Sequence, residues 1–321
     1  MVWLVTGANG MLGHEVVARA RERGHDVAAA GRPDLDIRDP ARIDAAFRET
    51  TPGVVVNCAA WTAVDAAESH EPEAYRVNAD GPRLLAEACA RYGARLVHVS
   101  TDYVFPGDAV APYREDDPAG PRTAYGRTKL AGEEAVLDLL PSAAVVRTAW
   151  LYGAHGPNFV RTMLRLMDER ETLDVVDDQR GQPTWAADLA GRLVAIGETG
   201  SAAGRFHATN SGETTWFAFA REIFRLAGAD PDRVRPTTSA AFAAPAPRPA
   251  FSVLDDTRSP ELGLEPLRPW RDALHAAQRG SALRPARRTP DLPPARRDPR
   301  PGPARRDPGL EPAQPIPGPD A

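Results

Sequence analysis

Two residues, Tyr125 and Lys129, stand four apart in a stretch with helical character. That spacing puts both side chains on one helix face. A free phenol titrates near about pH 10 and is a poor proton donor at neutral pH. A neighbouring ammonium stabilises the phenolate and lowers that value. So tuned, a tyrosine can give a proton to a carbonyl oxygen or take one from a hydroxyl. Tyr–Lys pairs occur by chance in many helices, but Lys129 is the only lysine among 39 basic residues. Arginine is effectively always charged and cannot replace a tunable ammonium.

Such chemistry needs a hydroxyl to hold the carbonyl. Thr101 is the candidate, at the end of an apolar run that begins at Leu96, with Ser100 as a turn-forming alternative. It also needs a redox partner. About 110 residues upstream, residues 6–13 read Thr-Gly-Ala-Asn-Gly-Met-Leu-Gly. Gly7 permits a tight turn out of a strand, Gly10 lets backbone approach a pyrophosphate, and Gly13 lets a helix pack closely on the sheet. Gly10, Met11, Leu12 and Gly13 would open that helix, whose free N–H groups and dipole favour phosphate. The motif lies between a strand and a helix at the chain start, the context that distinguishes a dinucleotide cradle from a structural turn.

Further cofactor contacts are expected from the ends of the next strands. Arg32 follows the second strand, where an acid would favour NAD and an arginine suits the 2′-phosphate of NADP. NADPH is therefore the expected cofactor, with NADH an alternative. Asp36 and Ile37 are placed at the adenine pocket. Cys58, Ala59 and Ala60 are small and leave room beside the cofactor; the same alanines also suit plain close packing. Val99 is expected to line the site as well.

The elements that must position these residues follow from patterning. Apolar runs predict strands over 2–6, 26–30, 54–57, 95–100 and 144–148. Helices are expected over 10–23, 40–50, 72–92 and 124–140. This alternation predicts an α/β fold: a Rossmann-type, doubly wound parallel sheet with right-handed crossovers. Residues 1–150 form the expected cofactor-binding domain. Residues 151–280 form a smaller, interleaved lobe for substrate, with strand-like segments at 172–176 and 204–208, a helix at 216–226 and a proline-rich stretch at 236–249. Trp216 and His207 read as core. Residues 281–321 hold twelve of the 32 prolines and repeat Pro-Ala-Arg-Arg every nine residues without a hydrophobic face. Such a segment cannot offset the entropy of folding, so a disordered tail is expected.

Composition narrows the function. The chain of 321 residues is 42% hydrophobic and 26% charged, as globular proteins are. No apolar run approaches the roughly 20 residues of a membrane helix. The net charge of −5 argues against nucleic-acid binding. The first residues lack a signal peptide's basic n-region. Cys58 and Cys89 cannot build a disulfide scaffold, so a reducing cytoplasm fits.

Taken together, the cradle, residues 56–65, 100–105, 125–133, 147–150 and 158–160, and the run Asp178-Gln179-Arg180-Gly181-Gln182-Pro183-Thr184 resemble the extended short-chain dehydrogenase/reductases. Within them the segments at 101–105 and 178–184 resemble the dTDP-4-dehydrorhamnose reductases, over residues 1 to about 275. The resemblance implies reduction of the 4-keto group of dTDP-4-dehydro-β-L-rhamnose, the last step to dTDP-β-L-rhamnose. It implies that Tyr125 protonates the sugar oxygen, that Lys129 tunes Tyr125 and holds the nicotinamide ribose, and that Thr101 binds the carbonyl. Asp102 and Trp150 carry over as substrate contacts. Arg248, on the rigid loop Pro245-Ala246-Pro247-Arg248-Pro249, is expected to bind the diphosphate through its forked donors. Some relatives dimerise around Mg²⁺. Here Glu15 matches one acidic position, but Ala187 and Arg271 stand at others. No metal is expected, and the chain is expected to act as a monomer or weak homodimer. Competing readings are a sugar-nucleotide 4-epimerase or 4,6-dehydratase, which lacks its usual acidic pair here, and a non-catalytic regulatory subunit.

Overall fold

A computed structural model describes residues 1–242 and 244–280; the tail expected over 281–321 lies outside the described residues. The first half alternates strand and helix: β1 (Val2–Thr6), α1 (Met11–Glu22), β2 (Asp26–Ala30), α2 (Pro40–Thr50), β3 (Val54–Asn57), α3 (Val64–Ser69), α4 (Glu71–Tyr75), α5 (Gly81–Tyr92), β4 (Arg95–Thr101), α6 (Ala124–Leu139) and β5 (Ala144–Thr148). Then follow β6 (Leu151–Tyr152), α7 (Phe159–Glu169), β7 (Leu173–Val176), β8 (Arg180–Gly181), β9 (Thr184–Trp185), α8 (Ala186–Glu198), β10 (Gly204–His207), β11 (Thr214–Thr215), α9 (Trp216–Leu226), β12 (Val234–Thr237) and α10 (Trp270–Arg279).

The main sheet has six parallel strands in the order β10-β5-β4-β3-β1-β2. Its strands are apolar at successive positions because both faces are covered. Trp3, Val5, Val54, Val56, Val97 and Val146 meet α1 and α8 on one face. Leu4, Val55, Leu96 and Val145 meet α2, α5 and α6 on the other. From β1 the chain moves outward to β2 and then crosses back to β3. Ligands bind at such a switch point, outside the carboxyl ends of the strands.

The chain beyond residue 150 contributes β10 and α8 to this layer. The rest builds a second core around Met163, Leu173, Phe219, Ile223 and Trp270. The short ribbons β8–β11, β7–β12 and β6–β9 frame it.

One expected element differs. The helix over 72–92 is interrupted by a π-turn at Arg76–Asp80. The wider turn carries the buried Asn78 into contact with two neighbouring segments, a function no helical periodicity announces.

Candidate active site

The phosphate cradle forms at the β1–β3 switch point. Gly7 adopts φ +66°, and a Cβ there would stand 2.6 Å from the Ala59 backbone N. A Cβ on Gly13 would stand 2.2 Å from the Gly7 carbonyl O. Both positions therefore need glycine, one for conformation and both for approach. Gly10 is the N-cap of α1 and provides no side-chain cap, and no acidic residue occupies the first turn. The uncapped N–H groups of this helix start, with its dipole, fit a pyrophosphate. Met11 packs toward Gly153, whereas the Leu12 side chain turns into the core. Only the Leu12 backbone can serve the cradle.

The walls of the crevice are set by a polar stitch across three strands. Thr6 Oγ1 donates to Asn57 Oδ1 at 2.6 Å, and Asn57 Nδ2 donates to His98 Nδ1 at 2.9 Å. The same Asn57 oxygen accepts the Ala59 N–H at 3.1 Å. Burial holds the His98 imidazole well below its usual range, so it stays neutral beside Lys129. The stitch fixes Cys58, Ala59 and Ala60 as they leave β3. Sequence reasoning missed it, although a polar residue ending an all-valine strand and a histidine inside an apolar strand were its signals.

At the adenine end, Arg32 is exposed and Ile37 is buried with its Cδ1 against Gly81. Asp36, expected at the adenine, is paired with a neighbour on its own loop. Its carboxylate accepts a forked pair from Arg38 (2.9 and 2.5 Å), which holds it down at about pKa 2. It is thus bound inside the protein, and the loop presents Arg32 near that anchored pair.

Tyr125 and Lys129, the expected proton-transfer pair, lie on the first turns of α6. Thr123 caps that helix by accepting the Gly126 N–H at 3.0 Å. A Cβ on Gly126 would stand 2.2 Å from the Tyr103 carbonyl O, so this glycine lets α6 close onto the turn after Thr101. The Tyr125 and Tyr103 rings meet edge to face at 5.5 Å. Lys129 is 2% exposed and donates to Val99 O at 2.7 Å. Burial pulls its ammonium down to about pKa 8, with Glu133 pulling the other way. Thr101 Oγ1 donates to Asp102 Oδ1 at 3.0 Å. Burial pushes the Asp102 carboxyl up to about 6 against the hydroxyls of Ser252 and Thr101.

Asn78, also unforeseen, clamps this region. It accepts the Trp61 N–H at 2.8 Å and donates to Trp61 O and to Thr128 Oγ1. The π-turn thereby ties the loop after β3 to α6 at Thr128.

Two residues anticipated at the substrate behave differently from one another. Trp150 follows β5, whose Thr148 pairs in register with Thr101. It holds φ +45°, an unusual conformation for a bulky residue that costs of order 1–3 kcal/mol and tends to mark functional sites. Arg248 was expected to present its fork to a diphosphate. Instead Asp65 accepts both arms, at 2.9 and 2.8 Å, and also the Ala246 N–H. The guanidinium is 9% exposed and pins the proline-rich loop to α3.

The family described as RmlD substrate binding domain matches residues 1–281. A dTDP-4-dehydrorhamnose reductase of Streptomyces griseus is 61% identical over 277 residues, covering 85% of this chain and 91% of that protein. A dTDP-4-keto-6-deoxy-D-glucose reductase of Streptomyces niveus is 52% identical over 276 residues, 86% of this chain and 96% of that one. The solved dTDP-4-dehydrorhamnose reductase of Bacillus anthracis, in complex with NADP, matches with TM-score 0.84 and 37% identity over 87% of this chain and 99% of its own.

Proposed function

This chain belongs to the RmlD substrate binding domain family, and we propose that it reduces the 4-keto group of dTDP-4-dehydro-β-L-rhamnose to give dTDP-β-L-rhamnose. When bound, NADPH supplies the hydride to sugar C4. Everything else falls to the chain. The α1 start and the glycines at 7, 10 and 13 receive the pyrophosphate, and Arg32 faces the 2′-phosphate. Thr101 Oγ1 orients the carbonyl. Tyr125 releases its phenolic proton to the new alkoxide, and the Lys129 ammonium stabilises the phenolate left behind. Lys129 also reaches the ribose. Asp102 and Trp150 hold the sugar. Arg248, already engaged by Asp65, orders the loop over the diphosphate and must share its fork to touch it.

One observation carries this reading: a lone lysine, fully buried, sits four residues after a tyrosine on a helix closed tightly against the Thr101 turn. A burial this costly is explained by chemistry rather than by stability. We place the reaction in the cytoplasm, supported by two free cysteines, Cys58 and Cys89, and by the absence, among the described residues, of any helix long and apolar enough to cross a membrane. The active unit we propose is a monomer or weak homodimer, since Ala187 and Arg271 would not hold a bridging cation.

The test mixes protein, NADPH and dTDP-4-dehydro-β-L-rhamnose made in situ, and follows nicotinamide absorbance. Stoichiometric oxidation with dTDP-rhamnose as product is expected; NADPH binding without oxidation would overturn the reading. The Streptomyces niveus relative favours a second substrate, dTDP-4-keto-6-deoxy-D-glucose. Faster oxidation with that ketone would reassign the sugar and keep the chemistry.

A further inference from the structure

Trp150 is gripped from both sides. The Trp216 ring lies parallel to it, centroids 3.5 Å apart and planes 9° from parallel. On Gly181 a Cβ would fall 2.5 Å from Trp150 Cε2, 2.7 Å from Cζ2 and 2.8 Å from Nε1. Cε2 is nearer than either Nε1 or Cζ2, the two neighbours on its outer side, which means approach over the ring face, not at its rim. Two rings 3.5 Å apart leave no room for backbone between them, so Gly181 covers the face opposite Trp216.

The two jaws belong to one ribbon. Gly181 pairs with Thr214 in the β8–β11 ladder, and Trp216 follows two residues later at the start of α9. Thr215 fixes the second jaw: its hydroxyl caps α9 at Ala218 N and donates to Asp177 at 2.5 Å. Arg180 fixes the first through backbone bonds to Ala250 and Ser252. Trp216 is 7% exposed and backed by Phe159 and Phe219. The Trp150 carbonyl accepts Thr184 N–H at 3.1 Å, so its backbone is anchored too.

We propose that Gly181 and Trp216 are positioning residues for the substrate: they clamp Trp150 so that the sugar nucleotide meets its N–H-bearing rim and never a ring face. The clamp explains why a tryptophan is held at φ +45°. It also assigns a job to Trp216, which sequence patterning placed in the core, and to the glycine of the 178–184 run. The inference rests on the proposed sugar-nucleotide reading, and its test separates the two.

Four variants are compared with wild type: Trp216→Leu, Trp216→Phe, Gly181→Ala and Trp150→Phe. Steady-state KM and kcat are measured with dTDP-4-dehydro-β-L-rhamnose, alongside NADPH affinity and the circular-dichroism couplet that stacked indoles produce. Trp216→Leu and Gly181→Ala are expected to raise KM at least about tenfold, with kcat within about threefold and NADPH affinity unchanged, because ground-state orientation is what they lose. Trp216→Phe keeps a flat platform and should restore KM to within about threefold. Trp150→Phe keeps a face but loses the N–H, and should raise KM like the first two. Wild-type KM in Trp150→Phe, or in both Trp216→Leu and Gly181→Ala, overturns the proposal. So does a fall in thermal stability with KM unmoved. Should Trp216→Leu fail to fold, Gly181→Ala and Trp216→Phe decide the matter. The couplet needs no sugar: its absence from wild type overturns the clamp, while a couplet in a protein that turns over no ketone overturns only the substrate reading.

Discussion

Lys129 shows how one residue can cost stability and supply chemistry. Burial disfavours its charge, and the folded ammonium titrates near about 8 instead of 10.5. For a base lowered in this way, the unfolded chain binds the proton more tightly, so the charge penalises the fold at and below about pH 8. The penalty fades as pH climbs from about 8 toward 10.5. In the proposed mechanism reduction, by contrast, uses the ammonium and should fall above about pH 8. Tyr125→Phe and Lys129→Met are each expected to lower kcat by at least about 100-fold, the scale of general acid catalysis. Lys129→Met should also melt higher than wild type at pH 7, and that gain should shrink toward pH 10. Equal pH responses of activity and stability would contradict the assignment. Asp102 has the opposite sign. Its carboxyl is raised from 3.8 to about 6, so wild type loses stability as pH rises from about 4 to 6. Asp102→Asn escapes that loss, worth on the order of 3 kcal/mol at most. Melting curves across pH 4 to 8 should show its advantage growing with pH.

At the scale of elements, the decisive device is the approach of α6 to the turn after β4. Gly126 makes it possible, and the obstacle to any side chain is the Tyr103 carbonyl, which is backbone and cannot swing away. Gly126→Ala should push Tyr125 out of line with Thr101. A displacement near 1 Å is worth about 100-fold in rate, so kcat should fall by 10- to 100-fold with NADPH affinity preserved. Equal loss of both would point to general unfolding instead. Much of this layer was legible beforehand. The inner strands β1, β3, β4 and β5 declare themselves because both faces are buried, which makes each a largely apolar run, while the edge strand β2 shows only as a short run of small apolar residues. That Tyr125 and Lys129 share a helix and that the glycines form a turn before α1 could be read because helical spacing and turn glycines are local rules. What stayed hidden depends on distant partners. Helix α8 carries no clean stripe, since one side packs on the sheet while Arg192 pairs with Asp256 and Asp188 meets Asn210. The π-turn at Asn78 answers to Trp61 and Thr128, and the engagement of Arg248 answers to Asp65, 183 residues away. No window of sequence contains both halves of such a contact.

For the whole molecule, a buried ionic seam ties the helix layer to the far edge of the main sheet. Glu133 on α6 is fully buried and takes a forked pair from Arg147 on β5, at 2.9 and 2.7 Å. Arg205 on β10 reaches the same carboxylate at 3.2 Å. Burial alone would raise the Glu133 carboxyl, but Arg147, Ser100 and Arg205 together hold it below its usual range. Arg147 also donates to Glu115 O, and the Glu115 carboxylate accepts from Thr257 and the Arg258 N–H in the segment packed along β10. The helix bearing Tyr125 and Lys129 is thus tied through one carboxylate to the far sheet edge and through one arginine to the segment that runs along that edge. A buried pair is weak evidence for net stability, because desolvation consumes most of its attraction. Breaking it is another matter. Arg147→Met leaves the buried Glu133 carboxylate without its forked partner, and should destabilise by about 3–5 kcal/mol in urea unfolding at pH 7. Adding Glu133→Gln removes the orphaned charge and should recover a good part of that loss. If the double variant were as unstable as the sum of the two single ones, the groups would not be acting on each other, and the seam would be only an array of neighbours. Recovery of stability without recovery of kcat would show what the charges are for: they set where α6 sits against β5 and β10, a specification that packing alone does not supply.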